Sequence, residues 1–266
     1  MKRIISINVL VFVIAALFCQ GSVCFAASDK NDKTSGARNQ SDIDKILLKL
    51  NAQNTKLNTY QAKIDYFFQD YPEEMPESGI TRTGNIYYKK DKEASKLLVR
   101  FDTFRRNDEK KEKRKEEYFF DGVWLKIIDH QNKTIKTIQK ARKTKPVDAF
   151  ELINRDFPMI GFSNKDDLRK HFDISIPDND KKTPKNQVRL KMVVKKGSPY
   201  EKNYSSVDFR IDKKTFLPAR IITTSTEGYI YDITLRYSKI NKNLKDTVFK
   251  LETPVDFRET VEPIKK

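Results

Sequence analysis

The sequence predicts an α+β fold, an antiparallel sheet with one apolar and one charged face whose apolar face is covered by helices. Three observations carry this. Residues 228–237 read GYIYDITLRY, with Tyr229, Tyr231, Ile233, Leu235 and Tyr237 alternating with Ile230, Asp232, Thr234 and Arg236, and a period of two places one set on each face of a strand. The same alternation recurs in Leu97, Val99 and Phe101, in Val188, Leu190, Met192 and Val194, and in Val207, Phe209 and Ile211, each set interleaved with charged residues. Such strands suit an antiparallel sheet with one dry and one wet face. Between the two groups of strands, residues 146–162 and 164–172 are rich in large apolar side chains without alternation, which fits short helices interrupted at Pro158 and Gly161.

Residues 1–26 read as a signal peptide. Lys2 and Arg3 precede an apolar run from Val9 to Phe18, and Cys24, Phe25 and Ala26 supply a cleavage region. Cleavage is expected after Ala26, with Ala27 as the next choice, and the apolar run is short for a permanent bilayer anchor. Cys19 and Cys24 follow Phe18 and Val23, whereas a lipidated cysteine would follow a small residue, so the chain is not read as itself a lipoprotein. Both cysteines leave with the signal, and the exported chain then has no disulfide. Residues 27–40 hold no large apolar side chain and are expected to be a flexible leader. The folded domain is placed at 41–262.

Ser41 is a good N-cap, and Ile43, Ile46, Leu47 and Leu50 form a helical stripe behind it. Strands are expected at 59–68, where Ala62, Ile64, Tyr66 and Phe68 share a face, and at 84–89 and 96–104. Residues 107–117 hold five basic and five acidic residues, so they read as a solvated hairpin extension and not as a phosphate patch. Residues 118–120, Asp121-Gly122 and 123–128 read as a hairpin with a type I′ turn, and a turn at Asn132 precedes a strand at 134–139.

With 266 residues, of which 38% are hydrophobic and 34% charged, the chain can bury one sizeable core. The net charge of +16 favours acidic surfaces. Export argues against nucleic acid, but Lys89, Arg100, Arg189, Lys191, Lys195 and Arg210 on the outer strand faces suit anionic lipid or an acidic partner. Motifs for bond-making chemistry are missing. Ser163 sits in GFSNK without the second glycine of a nucleophile elbow. His130 and His171 are far apart with no H-E-x-x-H, and Asp178 and Asp180 lie in PDNDKK, which reads as a turn, since a calcium loop needs a glycine and a closing glutamate. A non-enzyme with neither cofactor nor metal is expected.

Several segments, in order across residues 43–257, resemble the periplasmic outer-membrane lipoprotein carrier family, LolA. They are IDKILLKLNAQNTKLNTYQAKIDYFFQD, GNIYYKK, YFFDGVWLKIIDH, FELINRDFPMIGF and ITLRYSKINKNLKDTVFKLETPVDF. The best pieces are Asp121, Gly122 and Trp124, and the terminal spacing of Asn241, Leu244, Phe249, Leu251 and Pro254. The resemblance implies an antiparallel half-barrel, a curved sheet with helices covering the concave apolar face, which holds the acyl chains of lipoproteins carried from the inner to the outer membrane. It implies acylated lipoproteins as cargo, an inner-membrane lipoprotein-releasing transporter and an outer-membrane acceptor as partners, and a monomer.

The cavity is expected to be lined by Tyr66, Phe68, Tyr88, Val99, Phe101, Met192, Phe209, Tyr231 and Ile233, with Phe157, Met159 and Phe172 from the lid. Lys90 occupies the position of an arginine that latches the lid in the family, and a lysine lacks the planar donor fork of that residue. A periplasmic lipid-binding sensor or regulator, or a carrier of another amphiphile on the same fold, is the alternative; the sensor reading is weakened because only RETVEPIKK follows residue 257.

Overall fold

Alternation of large apolar and polar residues dictates strands through most of the chain, and the strands pair into one curved, unclosed, 12-stranded sheet. The computed structural model describes residues 33–70, 78–91, 94–150, 152, 165–178, 180–181 and 183–264. Helix α1 (Lys33–Thr55) precedes strands β1 (Thr59–Gln69), β2 (Ile80–Lys90), β3 (Ser95–Arg106), β4 (Glu112–Phe120), β5 (Trp124–Asp129) and β6 (Thr134–Gln139). Helix α2 (Lys165–His171) then leads into β7 (Phe172–Ser175), β8 (Gln187–Val194), β9 (Tyr204–Asp212), β10 (Pro218–Ser225) and β11 (Ile230–Ile240). A 3₁₀ turn (Asp246–Phe249) and β12 (Arg258–Glu262) complete the chain.

The spatial order is β12-β6-β5-β4-β3-β2-β1-β11-β10-β9-β8-β7. β1 therefore lies inside the sheet, flanked by β2 and β11. The first meander runs from β1 outward to β6, and the second begins at the opposite edge with β7 and returns to β11. All pairings are antiparallel except β12 on β6, which is parallel. The sheet is thus the α+β open half-barrel that the resemblance implies.

Four local features differ from the sequence reading. Helix α1 starts at Lys33, inside the stretch expected to be a leader. Residues 33–40 contain no proline, so nothing blocks the helix nucleated by Ile43, Leu47 and Leu50 from propagating backward, even though Gly36 costs about 1 kcal/mol relative to alanine. At the Asp121-Gly122 turn only Gly122 takes a positive φ, of 99°. Type I′ needs two such residues. Here the Asp121 carboxylate instead accepts the backbone N–H groups of Val123 and Trp124, at 2.9 and 2.7 Å. Tyr237 is exposed, with φ of 56°, because the β1–β11 register shifts between Gln61 and Lys63 and ejects it from the ladder. The solvated hairpin extension holds for residues 107–113, which are exposed, but not for 114–117. Residues 114–117 turn inward within β4, where Glu116 and Glu117 are buried on opposite faces.

The terminal residues quoted for the resemblance have clear structural work. Asn241, at φ 51°, accepts the N–H of Asn58 on its Oδ1 at 2.7 Å and donates from Nδ2 to the Lys56 carbonyl at 2.8 Å. It thereby clamps the α1–β1 junction to the end of β11. Leu244 and Phe249 then cross the convex face and bury Leu98, with Tyr87, Phe119, Val248 and Leu251 packed around them.

Gly84 sits at a second bulge, where β2 presses on β3. A Cβ there would lie 1.9 Å from the Arg100 carbonyl oxygen and 2.7 Å from the Phe101 Cα. Both contacts are with backbone and have little room to yield. Gly84→Ala is therefore expected to destabilise the protein by at least about 1–3 kcal/mol, read as a lower urea midpoint at constant slope. An unchanged midpoint would show that the bulge accommodates a side chain.

Candidate functional site

Register places the large apolar residues of both meanders on one concave face. One cross-strand row runs Leu190, Phe209, Ile221, Ile233, Tyr66, and a second runs Ile174, Met192, Val207, Thr223, Tyr231, Phe68. On the other half, Ile127, Tyr118, Val99, Ile86 and Ala62 form one row, and Leu125, Phe120, Leu97, Tyr88 and Tyr60 another. All but Thr223 belong to or pack against a single hydrophobic cluster.

Of the residues expected to line a cavity, Tyr66, Phe68, Tyr88, Val99, Phe101, Phe172, Met192, Phe209, Tyr231 and Ile233 come together in this cluster. Tyr66 and Phe101 rings are 6.1 Å apart, and Phe68 and Tyr231 rings 5.3 Å. Phe172, expected in a lid helix, is the first residue of β7 and belongs to the wall. Phe157 and Met159 lie outside the described residues, as do Pro158 and Gly161.

Three pieces cover this face. Helix α1 contributes Ile43, Leu47 and Leu50, α2 contributes Leu168, and the connection after β6 contributes Ala149, Phe150 and Leu152, all buried in the same cluster. The two helices meet through Arg169, whose Nη2 lies 2.9 Å from Asp44 Oδ1 and whose Nη1 contacts Gln40 Oε1.

Among the described residues, the contacts between cover and rim do not involve the Lys90 side chain. Lys90 is exposed at the end of β2 and has no side-chain partner among the described residues. Two residues earlier on the same strand face, Tyr88 donates its hydroxyl to Asp148 Oδ2 at 2.8 Å and stacks on Phe150 at 4.1 Å. Asp148 Oδ1 accepts the Phe150 N–H at 2.8 Å, and Ser95 Oγ accepts the Ala149 N–H at 2.6 Å. Tyr88 is expected from the sequence as a lining residue but not as a hydrogen-bond donor to the cover, and Ser95 is not singled out, because their partners lie more than fifty positions away.

The concave face is apolar up to a border. Beyond Tyr66 its row continues to Arg82 and Phe104. Arg82 Nε lies 3.1 Å from Glu116 Oε2, Arg114 Nε lies 2.9 Å from Glu116 Oε1, and Arg114 Nη2 lies 3.2 Å from Asp129 Oδ2. The Tyr118 hydroxyl donates to Glu116 at 3.1 Å, and both guanidinium groups lie over the Phe104 ring at 5.4 and 4.9 Å. The arrangement is a neutral, internally paired cluster at one end of an oily wall. Among the described residues no group of three His, Cys, Asp or Glu is placed to hold a metal.

The basic outer face is largely committed. Lys89 pairs with Asp246 at 3.0 Å, Arg100 with Glu117 at 2.7 Å, Lys195 with Asp173 at 3.5 Å, and Arg189 and Arg210 both with Asp208. Burial pushes Glu117 up, yet hydrogen bonds from His130 and Arg100 outweigh it and hold the carboxyl below its ordinary value. Lys191, exposed on β8, is the member of that set with no ion pair among the described residues.

No family model matches the sequence, and no curated protein matches it. Solved structures do. The chain is similar to an uncharacterized conserved protein from Thermus thermophilus at 11% identity, over 82% of this chain and 99% of that one, with a TM-score of 0.46. It is similar to the Mycobacterium tuberculosis lipoprotein LppX at 10% identity, over 76% and 98% of the two chains, with a TM-score of 0.42. It is also similar to a LolA superfamily protein from Nitrosomonas europaea at 9% identity, over 79% and 97%, with a TM-score of 0.33.

Two outcomes follow for this site. Tyr88→Phe deletes a hydrogen bond to a charged acceptor, a loss of about 1.5–3 kcal/mol. It should speed amide exchange at Ala149 and Phe150 while β8–β10 keep their protection; equal exchange would remove Tyr88 as the pin. The second concerns alkaline pH. Burial pushes the Tyr60 phenol up to about 12, against a lowering hydrogen bond with Ser238, and pushes Tyr231 up to about 12. Tyr66 and Tyr118 move the same way for the same first cause. These phenols stay protonated when folded but would ionise near 10.0 when unfolded. Their stabilising effect is therefore full below pH 10 and is lost as pH rises toward 12, so melting temperatures should be level with respect to these groups from pH 7 to 9 and fall steeply by pH 11.

Proposed function

We propose that this protein is an exported, periplasmic, non-enzymatic carrier that takes the acyl chains of lipoproteins onto its concave face and conveys them from inner to outer membrane. The observation that supports this most is the construction of the face. A continuous apolar wall spans nearly the whole sheet, and among the described residues what closes it is a pair of helices and a connection whose polar contacts to the wall and to each other include Tyr88 to Asp148 and Arg169 to Asp44. A second sheet would make a permanent core. A cover of two helices and a connection leaves an apolar surface that a carrier can offer and withdraw.

Energetics favour such a design. Two or three chains of about sixteen carbons would expose roughly 25–35 kcal/mol of hydrocarbon in water. Non-covalent affinities saturate at about 18–21 kcal/mol, so a carrier cannot capture all of this rigidly, and release proceeds by transfer between apolar sites. Aromatic and unbranched residues such as Phe68, Tyr231 and Met192 adapt to chains better than a tightly branched wall does. The resemblance of residues 43–257 to the lipoprotein carriers points the same way. A signal peptide at 1–26, a folded domain at 41–262 and a transporter and acceptor at either end of the route belong to the same proposal.

The test uses the chain from Ala27 onward with a hydrophobic fluorophore. Uptake with enhanced emission is expected, and a diacylated lipopeptide should displace the dye. Tyr231→Asp places a carboxylate on the wall and should weaken uptake at least about tenfold, since burying an unpaired charge costs several kcal/mol. Circular dichroism reports whether the variant keeps its strands. A folded Tyr231→Asp protein that binds the dye as before would exclude the concave face as the site.

A further inference from the structure

Two hydroxyls on the concave face have no hydrogen-bond partner among the described residues, those of Tyr66 and Thr223. Tyr66 is 1% exposed and Thr223 fully buried. Other buried polar atoms without a hydrogen bond, on Asp65, Arg114, Asp208 and Arg210, belong to ion pairs. Neither hydroxyl belongs to an ion pair, although the Arg82 charge lies opposite Tyr66. Each costs about 1–3 kcal/mol while it stays unpaired in an apolar setting, and native interiors leave few such groups.

Their placement is informative. Tyr66 is the last wall residue before the Arg82, Glu116 and Arg114 cluster, since its row runs from Leu190 through Ile233 to Tyr66 and then to Arg82. Thr223 lies across Tyr231 from Phe68, one row over. A ligand on this face would meet hydrocarbon on one side of Tyr66 and charge on the other. An ester-linked diacylglyceryl group has the same layout, with tails, then ester carbonyls, then a polar head.

On the acyl-chain reading above, we propose that the Tyr66 hydroxyl donates to an ester carbonyl of a diacylglyceryl ligand, with Thr223 serving a second carbonyl. The tails then lie along the β8–β11 wall and the head faces Arg82. A carbonyl oxygen supplies the acceptor that each hydroxyl lacks, so binding removes a penalty the empty protein carries. This selects for ester linkage over chain length. The same chemistry is present in a lipoprotein's diacylglyceryl cysteine and in a free phospholipid.

The experiment measures displacement of N-phenylnaphthylamine from the chain beginning at Ala27 and from its Tyr66→Phe and Thr223→Val variants. Competitors are a dipalmitoylglyceryl-cysteine peptide, dipalmitoylphosphatidylglycerol, and the dihexadecyl ether counterpart of each. The protein should prefer an ester to its ether by about two- to twelve-fold, the worth of one neutral hydrogen bond. Tyr66→Phe should erase most of that preference without lowering the melting temperature, and Thr223→Val should erase a smaller part. Preference within the peptide pair, the phospholipid pair or both supports the proposal and identifies the source. Equal binding of esters and ethers, a preference that survives in Tyr66→Phe, or a marked fall in the melting temperature of Tyr66→Phe would overturn it while leaving the acyl-chain site intact. Failure of all four competitors to displace the dye would overturn both.

Discussion

The constraint on which everything else depends is topological. β1 lies within the sheet, so the chain must build one half outward to β6 and then begin the other half at the far edge with β7. The connection between those edges has no route along the strands. Its described parts pack on the concave side, where Phe150 stacks on Tyr88 and Leu168 joins the main cluster. Covering the apolar face and joining the two halves are therefore one task performed by one segment, with α1 alongside it.

This explains why the cover is held by discrete polar pins. Apolar contact alone would attach it anywhere on a wide greasy surface, since hydrophobic attraction has no direction. The Tyr88 hydroxyl donating to Asp148 and the Ser95 hydroxyl accepting from the Ala149 N–H fix the register of residues 148–150, and the Arg169 contacts fix α2 against α1. The charged border around Glu116 does comparable work within the sheet. Buried charges are tolerated there because each carboxylate has a guanidinium or hydroxyl partner.

Strand periodicity made much of this legible in advance. The β6 range follows from the turn at Asn132, and the cores of β1, β3, β8, β9 and β11 follow from alternation, as does the assignment of Tyr66, Phe101, Met192, Phe209 and Tyr231 to one face. What escaped has physical reasons. In β10, Thr223 occupies an inward position among other threonines, and a threonine suits either face. β12 is exposed along its whole length and shows no alternation. The 107–117 run looked uniformly wet because charge was counted along the chain, whereas a strand sends Glu116 and Glu117 to opposite faces. Their partners, Arg82 and Arg100, are fixed only by register. Lys90 has no side-chain partner among the described residues, and the described contact to the cover lies two residues away on Tyr88, whose hydroxyl partner Asp148 no local pattern reveals.

The seam between β1 and β11 carries one more implication. Asn58 and Asn241, 183 positions apart, are joined directly by a hydrogen bond, and β12 settles on β6 only at the very end of the chain. Topologies ruled by such distant pairings fold slowly. The strand that closes the seam, β11, comes late in the chain, so the two halves of the apolar wall join only after most of the polypeptide has been made.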